Sequence, residues 1–535
     1  MTRLKEATVG VVGAGIMGAG IAQIAAQAGH PVLLLDAREG AAAAAKAKLA
    51  ASFDTLVTKG RLTAESAQQA LQRITPVSGL DSLAPCAVVV EAIVEQLAAK
   101  RSLMQALEAL LPAQAILCTN TSSISVTAIA QGLQHPQRLV GMHFFNPVPL
   151  MKLVEVVSGL QTEVAVAADI FELAQSWGKV AVHARSTPGF IVNRIARPFY
   201  AEALALLQEQ AATPPVIDAC LKAVGFRMGP CELMDLIGHD TNFAVTQSVY
   251  EANFFDKRYA PSLVQREMVD GGLLGRKSGR GFYRYPEGVP PLPVAVHQAP
   301  DSAREISVHG VGPVADWLEA RLVEALAPQG WGPERVFDAS WTGIAVDGGR
   351  LVMTDGRTAA ELSTVLGTDN VAVFDRCVPV PTQPSTPGPA LAFACAVTAD
   401  EAWHGQAPAW LAGLGFAPLR VADTPGLVVA RTLGMLVNEA ADAVRQGVCT
   451  PDAADAAMKL GVNYPAGPFE WLADWSAAGV AQLLQTLDEH YRGERYRLSP
   501  WLREAAAKEA SQRRRAGLRG AAGSANTDWS PLGRA

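Results

Sequence analysis

Residues 8–36 read TVGVVGAGIMGAGIAQIAAQAGHPVLLLD. The apolar, β-branched run Thr8–Val12 predicts a buried parallel strand, and Ile16–Ala28 is predicted to be a helix. Glycines in the pattern G-x-G-x-x-G join the two, and a second apolar run, Val32–Leu35, ends in Asp36. This order of strand, glycine turn, helix, strand and acid predicts a Rossmann-type, dinucleotide-binding α/β domain.

The glycine turn predicts where the dinucleotide binds. The first glycine lets the strand turn tightly, the second lets a pyrophosphate approach the backbone, and the third lets the helix pack close to the sheet. The helix N-terminus also offers N–H groups to the phosphates. The cofactor-binding residues predicted in this turn are Gly13, Ala14, Gly15, Ile16, Met17 and Gly18.

Asp36 predicts which dinucleotide is preferred. Its carboxylate can accept hydrogen bonds from a ribose 2′-OH and would repel a 2′-phosphate, which favours NAD over NADP. Arg38, two positions further on, is the one neighbouring residue that favours NADP instead.

Length and composition limit the class of protein. A chain of 535 residues is too long for one core, so several domains are expected. The net charge of −6 gives no reason to expect nucleic acid as a partner. No C-x-x-C pair occurs among the seven cysteines, which predicts reduced thiols in the cytoplasm and no metal site. They are Cys86, Cys118, Cys220, Cys231, Cys377, Cys395 and Cys449.

The N-terminus superficially resembles a signal peptide, because Arg3 and Lys5 precede an apolar run. Glu6 interrupts that run, which then leads into the strand that ends in Asp36. No transmembrane or targeting segment is therefore predicted.

Residues 37–186 predict a helical hairpin and the rest of a parallel sheet. Ala37–Leu83 is predicted to form two helices that break at Lys59-Gly60-Arg61, and composition alone makes Lys59 and Arg61 part of a solvated loop. Strand, helix and strand are then predicted at Ala87–Glu91, Ile93–Leu110 and Ala115–Thr119.

Polar side chains follow this last strand at Asn120-Thr121-Ser122-Ser123. The carboxyl ends of parallel strands are where open α/β sheets bind ligands, so Ser122 is a candidate site residue. It could instead be the N-cap of a helix over 124–130. The two are compatible, because one serine can cap while the other faces the cleft.

His143 and Glu155 form the candidate acid–base pair. His143 lies at the mouth of a predicted strand before the turn Asn146-Pro147, and Glu155 lies in the apolar run that follows. A lone histidine is more often structural than catalytic. An acid in an apolar strand, however, is costly unless it is paired, and a carboxylate commonly orients a catalytic imidazole.

A predicted helical domain begins at TPGFIVNR, residues 187–194, and closes with Gly271–Tyr285. Asn193, near the start of an apolar helix, either satisfies local backbone groups or points back at the cleft.

The second half repeats part of the first. TPGLVVAR at 424–431, GPFE at 467–470 and SPWL at 499–502 repeat segments that lie 237, 238 and 239 positions earlier, which predicts a duplicated helical domain. Ala430 replaces Asn193, so this copy is expected to stabilise the protein or to dimerise rather than to catalyse. The Arg513–Arg515 cluster is expected to be a solvated helix face.

Between the copies, residues 305–315 predict a strand, a G-x-G turn and a helix. Pro313 follows the second glycine and Ala315 replaces the third, so a degenerate α/β domain without cofactor is expected. The predicted domains are 1–186, 187–286, 300–421 and 422–520, with a tail at 521–535. Proline-rich linkers are predicted at 289–300 and 379–389.

Six motifs together resemble the 3-hydroxyacyl-CoA dehydrogenase family over residues 6–285. They are the glycine turn with Asp36, VVEAIVE at 89–95, NTSS at 120–123, HFFNPVPLMKLVEVV at 143–157, TPGFIVNR at 187–194 and GRKSGRGFY at 275–283. The length and the duplicated C-terminal domain resemble the longer bacterial form, which implies a 3-hydroxyadipyl-CoA or 3-hydroxybutyryl-CoA substrate and a role in phenylacetate catabolism.

The resemblance implies a role for each matched residue. His143 would be the general base, Glu155 would polarise it, and Ser122 and Asn193 would bind the substrate oxygen. Further NAD contacts are implied at Glu95, Lys100, Asn146 and Lys277, as well as Ser122. Coenzyme A contacts are implied at Ser52 and Lys59, with Ser122 at the acyl end. A homodimer through the helical domains is implied, unless the internal second copy supplies that interface.

Two other functions are compatible with parts of the sequence. A related β-hydroxyacid dehydrogenase for free acids would characteristically use a lysine base, whereas this chain has the His143–Glu155 motif. A non-catalytic NAD-binding or structural protein would fit the second half alone. One NAD per chain is expected, because only the first half has a complete turn.

Overall fold

The computed structural model describes residues 4–292, 305–327, 332–337, 340–377 and 388–524. Most of the two predicted linkers, and the tail from Asn526, lie outside these ranges. The chain forms two compact units. One comprises Met1–Arg197, Val245–Phe255 and Gln446–Phe469, and the other Pro198–Ala244, Asp256–Arg445 and Glu470–Ala535. Each unit combines segments of several predicted domains, so the domain bounds given above stay a prediction.

The first unit is built on an eight-stranded sheet in the order β3-β2-β1-β4-β5-β6-β7-β8. All neighbouring strands are parallel except β6 and β7. From β1 the chain goes to β2 and β3 on one side, and it then crosses to β4 on the other side of β1. Such a switch point is where open α/β sheets bind ligands. The strands are β1 Val9–Val12, β2 Val32–Leu35, β3 Ile74–Val77, β4 Val88–Glu91, β5 Ile116–Thr119, β6 Leu139–Phe144, β7 Leu153–Ser158 and β8 Val180–Arg185.

Six helices accompany this sheet, and three of their bounds correct the sequence analysis. The hairpin's second helix ends at Arg73, because Ile74 is buried and the next residues pair with β2 as an edge strand. The helix predicted from Ile93 begins at Leu97. Ser125, not a serine of the NTSS segment, caps the helix predicted at 124–130. The helices are α1 Ile16–Gln27, α2 Ala41–Thr58, α3 Ala64–Arg73, α4 Leu97–Leu110, α5 Val126–Ile129 and α6 Val164–Ser176.

Helices and a second sheet make up the rest of the described chain. The first helical copy contains α7 Val192–Ile195, α8 Arg197–Gln208, α9 Pro214–Ala223, α10 Pro230–Ile237, α11 His239–Ala252 and α12 Leu263–Asp270. The second contains α16 Val429–Arg445, α17 Pro451–Gly461, α18 Pro468–Trp475, α19 Ala477–Tyr491 and α20 Pro500–Ser524.

The second sheet has the order β10-β9-β11-β12-β13-β14-β15. Its strands are β9 Ile306–His309, β10 Glu334–Val336, β11 Gly343–Val346, β12 Gly349–Met353, β13 Val371–Phe374, β14 Ala390–Cys395 and β15 Ala417–Arg420. Its helices are α13 Pro313–Leu326, α14 Ala359–Leu366 and α15 Glu401–Gly413. The predicted fold class is confirmed: a Rossmann-type domain and a helical domain, then a second sheet domain and a second helical domain. Among the described residues, no helix combines the length and the apolar character that crossing a bilayer requires.

The two helical copies exchange equivalent helices. In the first unit, α17 of the second copy packs against β7, β8 and α7. In the second unit, α9 of the first copy packs against β14. Equivalent backbone hydrogen bonds form at both places: Arg185 N–H donates to Val448 O, and Ala422 N–H donates to Ala211 O. Each sheet is therefore completed by the helical copy that belongs to the other half of the sequence.

Candidate active site

The glycine turn has the geometry that a dinucleotide needs. Gly13 has a φ of 102°, and a Cβ there would collide with the Ala92 carbonyl. A Cβ at Gly18 would collide with the Gly13 carbonyl, so these two glycines are fixed by close packing. Gly15 borders open space, with no atom within 4 Å of a built Cβ. No side chain caps α1, and Ile16 in its first turn is 76% exposed, so this helix start is accessible to a phosphate.

Asp36 lies directly after β2 and beside the glycine turn. Its carboxylate accepts hydrogen bonds from Ala14 N–H at 2.8 Å, and from the backbone N–H and Nε of Arg38 at 2.9 and 3.1 Å. Partial burial raises the pKa of Asp36, but the hydrogen bonds from Arg38 and Ala14 outweigh it, and the pKa is lowered overall. Asp36 is therefore an anion at neutral pH where the ribose of a bound dinucleotide would lie.

Glu95 shapes the turn that carries Ser122. Its Oε1 accepts hydrogen bonds from Thr121 Oγ1 at 2.6 Å and from Ser122 N–H at 3.0 Å, while its Oε2 pairs with Lys100 at 3.2 Å. Burial raises the pKa of Glu95, but the interactions with Thr121 and Lys100 outweigh that effect, and the pKa is lowered overall. Lys100 is 1% exposed and also pairs with the fully buried Glu91 at 2.6 Å. Sequence reasoning missed Glu91, although a charged residue that ends a buried strand was a signal for it.

His143 and Glu155 are directly opposite each other on the antiparallel strands β6 and β7. His143 Nδ1 lies 2.5 Å from Glu155 Oε2, and both side chains are buried. Glu155 Oε1 accepts the N–H groups of Ile191 and Val192, each at 3.0 Å. A carboxylate on Nδ1 places the imidazole proton there and leaves Nε2 free to accept another. The structure thus provides an oriented base.

Asn193 connects the start of α7 to the Ser122 turn. Its Nδ2 donates to the Ser122 carbonyl at 3.4 Å, and Asn193 directly follows the two residues whose N–H groups Glu155 holds. Ser122 is half-buried, and its Oγ makes no hydrogen bond within the described part of the chain. The structure therefore links Ser122, His143, Glu155 and Asn193 in one network and leaves a hydroxyl available to a ligand.

The other predicted site residues are placed as follows. Asn146 is exposed just after β6. Ser52 is exposed on α2, and Lys59 is exposed at its C-terminus, so the predicted hairpin presents both to solvent. Lys277 belongs to the second compact unit, where it pairs with Asp240.

Helix α17 packs against β7 and α7, which carry Glu155 and Asn193. Sequence reasoning missed this contact. Gln446, just before α17, accepts a hydrogen bond from Arg194 Nη1 at 2.8 Å. Gly461, its last residue, packs so closely that an added Cβ would lie 2.7 Å from Leu153 and 3.0 Å from Val192. Leu153 is two residues from Glu155, and Val192 adjoins Asn193. The internal repeat was the only signal for this contact.

The second sheet lacks this site although it keeps the framework. Asp375, one residue beyond β13, lies opposite Ala392 of β14 when the antiparallel register is extended by one pair. Its N–H donates to the Ala392 carbonyl at 2.9 Å. Ala392 corresponds to Glu155, because each pairs with the residue five positions before its TPG turn. Asp375, opposite Ala392, therefore corresponds to His143. The Asp375 carboxylate accepts the N–H groups of Val428 and Val429 at 2.9 and 2.7 Å, as Glu155 does at α7. The anchoring of the helix is retained and the acid–base pair is not.

The residues around the glycine turn fit NAD. Gly15 leaves room for a pyrophosphate, the start of α1 offers N–H groups, and Asp36 is an acceptor at the end of β2.

Three family models match this chain. The family described as 3-hydroxyacyl-CoA dehydrogenase, NAD binding domain, matches residues 8–187, and its C-terminal domain matches 189–285 and 426–518. The 3-hydroxybutyryl-CoA dehydrogenase reduced Rossmann-fold domain matches 351–425.

Three relatives illustrate the similarity. The chain is 42% identical over 504 residues to 3-hydroxyadipyl-CoA dehydrogenase of Escherichia coli K12, covering 94% of this chain and 98% of that protein. It is 42% identical over 277 residues to a probable 3-hydroxybutyryl-CoA dehydrogenase of Deinococcus radiodurans, covering 52% and 99%. A crystal structure of 3-hydroxybutyryl-CoA dehydrogenase from Escherichia coli superposes with a TM-score of 0.85 at 41% identity, covering 95% and 99%. The chain belongs to the 3-hydroxyacyl-CoA dehydrogenase family, a family of NAD-dependent oxidoreductases.

Proposed function

We propose that the first half of this chain oxidises (S)-3-hydroxyacyl-CoA to 3-oxoacyl-CoA, with His143 as general base. The observation that carries the proposal is the contact of 2.5 Å between His143 Nδ1 and the buried Glu155 carboxylate. A base held by a carboxylate suits removal of a hydroxyl proton near neutral pH.

NAD, when bound, supplies the acceptor for the hydride that leaves C3 of the substrate. His143 Nε2 takes the proton of the 3-hydroxyl group, and the C3–O bond becomes a carbonyl. Glu155 stabilises the imidazolium that forms. The Ser122 hydroxyl and the Asn193 amide donate to the substrate oxygen, which orients the alcohol for hydride transfer.

The remaining assignments rest on the family resemblance. The glycine turn and Asp36 hold the dinucleotide, and Asn146 and Lys277 contribute further contacts to it. Glu95 contributes through the turn that it shapes, and the enclosed Lys100 acts by holding Glu95. Lys59 attracts the phosphates of coenzyme A, and Ser52 on the same helix faces the nucleotide portion.

We propose 3-hydroxyadipyl-CoA as the substrate, within phenylacetate degradation, because a relative of that name matches nearly the whole chain. 3-Hydroxybutyryl-CoA is the second candidate, because a crystal structure of that name matches equally fully. Values of kcat/KM for the two thioesters decide between them. We also propose that the enzyme works in the cytoplasm, and that any homodimer forms through the helical domains, which light scattering would test.

The His143→Ala variant tests the central proposal. Loss of the general base lowers kcat about 10²–10⁴-fold, while NAD affinity measured by calorimetry is unchanged. His183→Ala on β8 is the matched control, because His183 is an exposed histidine of the same sheet. Full activity of His143→Ala would favour a non-catalytic, NAD-binding protein, and loss of NAD binding would contradict the role given to His143.

A further inference from the structure

A cavity of about 850 Å³ opens at one edge of the second sheet, within the second compact unit. Strands β9, β12 and β13 run in the same direction, because β9 and β12 both pair antiparallel with β11 and β13 is parallel to β12. The residues just beyond their carboxyl ends, including Gly310, Asp355 and Arg376, line the cavity. This edge corresponds to the ligand-binding edge of an open α/β sheet.

Arg376 provides the cavity with a guanidinium group beyond the carboxyl end of β13. Its guanidinium lies 4.2 Å from the centroid of the Trp475 ring, and its side chain makes no hydrogen bond or ion pair within the described ranges. The neighbouring Asp375 is occupied by backbone N–H groups. Asp474 lines the same cavity but forms no ion pair with Arg376. A half-buried guanidinium of this kind is a bidentate donor without an acceptor.

The walls of the cavity are largely aromatic and aliphatic. Three tryptophans, Trp341, Trp471 and Trp475, contribute to it together with the aliphatic side chains of Val224, Val314, Met353, Val429 and Leu433. Trp341 is held in place by stacking on His309, with the ring centroids 4.2 Å apart and the planes inclined by 15°. The volume and the mainly apolar lining with a few polar groups are typical of small-molecule sites.

A dinucleotide does not suit this cavity. Pro313, just after the glycine turn, has no N–H to offer to a pyrophosphate, and two carboxylates, Asp355 and Asp474, line the cavity. A single carboxylate on Arg376 suits it better than a phosphate chain does, because one guanidinium pairs with one carboxylate.

We propose that this cavity, bounded by Arg376 and the three tryptophans, binds a small organic carboxylate that carries an aromatic ring. The carboxylate pairs with the Arg376 guanidinium, and the ring packs between Trp341, Trp471 and Trp475. The site is a binding site only, because Asp375, Ala392 and Ala430 stand where the first half has its acid–base pair and Asn193.

Calorimetric titration of the full-length protein with 3-phenylpropanoate, in the presence of saturating NAD, tests the proposal. Wild-type protein is expected to bind one equivalent. Arg376→Gln is expected to weaken binding at least about tenfold, since it removes the charge-assisted, bidentate pair with the carboxylate. Arg321→Gln, in the same domain but outside the cavity, should bind like wild type. Replacing the probe by 3-phenylpropanamide should remove the effect of Arg376→Gln.

A second variant, Val314→Trp, fills the cavity without removing the charge and guards against misfolding of Arg376→Gln; circular dichroism checks both. Loss of binding in both variants supports the site. Absence of binding to wild type, or binding that neither variant weakens, overturns it. Titration with NAD alone provides the last arm: a second equivalent of NAD that Val314→Trp abolishes would show a nucleotide site and refute the carboxylate proposal.

Discussion

Two carboxylates of the site, Glu155 and Glu95, each bind a side chain through one oxygen and backbone N–H groups through the other. Glu155 binds His143 through one oxygen and the start of α7 through the other. Glu95 does the same for Lys100 and the Ser122 turn. The sequence pattern predicted the pairing of Glu155 with His143, because an acid in an apolar strand needs a partner. It could not predict the bonds to Ile191 and Val192, since nothing local relates a strand residue to a helix start more than thirty positions later.

Asp36 offers a residue-scale prediction about cofactor choice. Its carboxylate at present holds the Arg38 guanidinium, so Asp36→Ser should both remove repulsion of a 2′-phosphate and release a cation to bind it. We expect the ratio of kcat/KM for NADP to that for NAD to rise at least about tenfold, roughly the 1.4 kcal/mol of one charge-assisted contact.

The double variant Asp36→Ser/Arg38→Ala is the control, because it should lose most of that gain. An unchanged cofactor ratio in the single variant would mean that Asp36 does not select the dinucleotide.

Among the elements, α17 is one whose existence the sequence predicted and whose packing it did not. The repeat spacing predicted a second helical copy, and the strand and glycine patterns predicted β1, β2 and α1 closely. The packing of α17 on β7 and α7 could not be predicted, because identical repeats are equally compatible with self-contained copies and exchanged helices. Edge strand β3 was missed for a different reason: its sequence, ITPV, lacks the apolar run that identified the other strands of the same length and contains a proline.

The tight contact of Gly461 gives a prediction for this element. Gly461→Leu should force α17 away from Leu153 and Val192, lowering the free energy of unfolding by about 1–3 kcal/mol and reducing kcat, because both neighbours adjoin site residues. Urea denaturation and steady-state kinetics measure the two effects.

Gly405→Leu in α15 is the matched control, since a Cβ there meets no atom within 4 Å. Equal effects of the two substitutions would show that α17 gives the site no specific support.

At the scale of the whole molecule, the two helical copies contact each other symmetrically. Arg495 pairs with the buried Glu202 at 3.0 Å, and Arg258, 237 positions before Arg495, pairs with Glu439, 237 positions after Glu202, at 3.3 Å. Such reciprocal contacts are typical of two-fold interfaces between identical subunits. Here both partners lie in one chain.

The Glu202 cluster predicts a dependence of stability on pH. Burial raises the pKa of Glu202, but Arg495 and Arg431 lower it below its ordinary value of 4.5. The unfolded chain therefore takes up this proton first as the pH falls, so the contribution is complete above pH 4.5 and is lost below it.

Thermal unfolding between pH 3 and 7 checks this expectation. Glu202→Gln should lose about 3–5 kcal/mol at neutral pH, because it removes the buried carboxylate that pairs with both Arg431 and Arg495, and should show a shallower fall in acid. Glu494→Gln, an exposed carboxylate beside Arg495, should behave like wild type. A pH profile of Glu202→Gln parallel to that of wild type would contradict the prediction.

The exchange of α9 and α17 has a consequence for the protein at low concentration. Two separate half-length chains that completed each other in this way would dissociate on dilution, and their catalytic sheets would lose support. Covalent fusion makes the same encounter intramolecular, with an effective concentration that dilution does not change. The second half, in which Asp375 and Ala392 occupy the places of the acid–base pair, still supplies the helix that completes the first sheet, so that sheet keeps its support at any dilution.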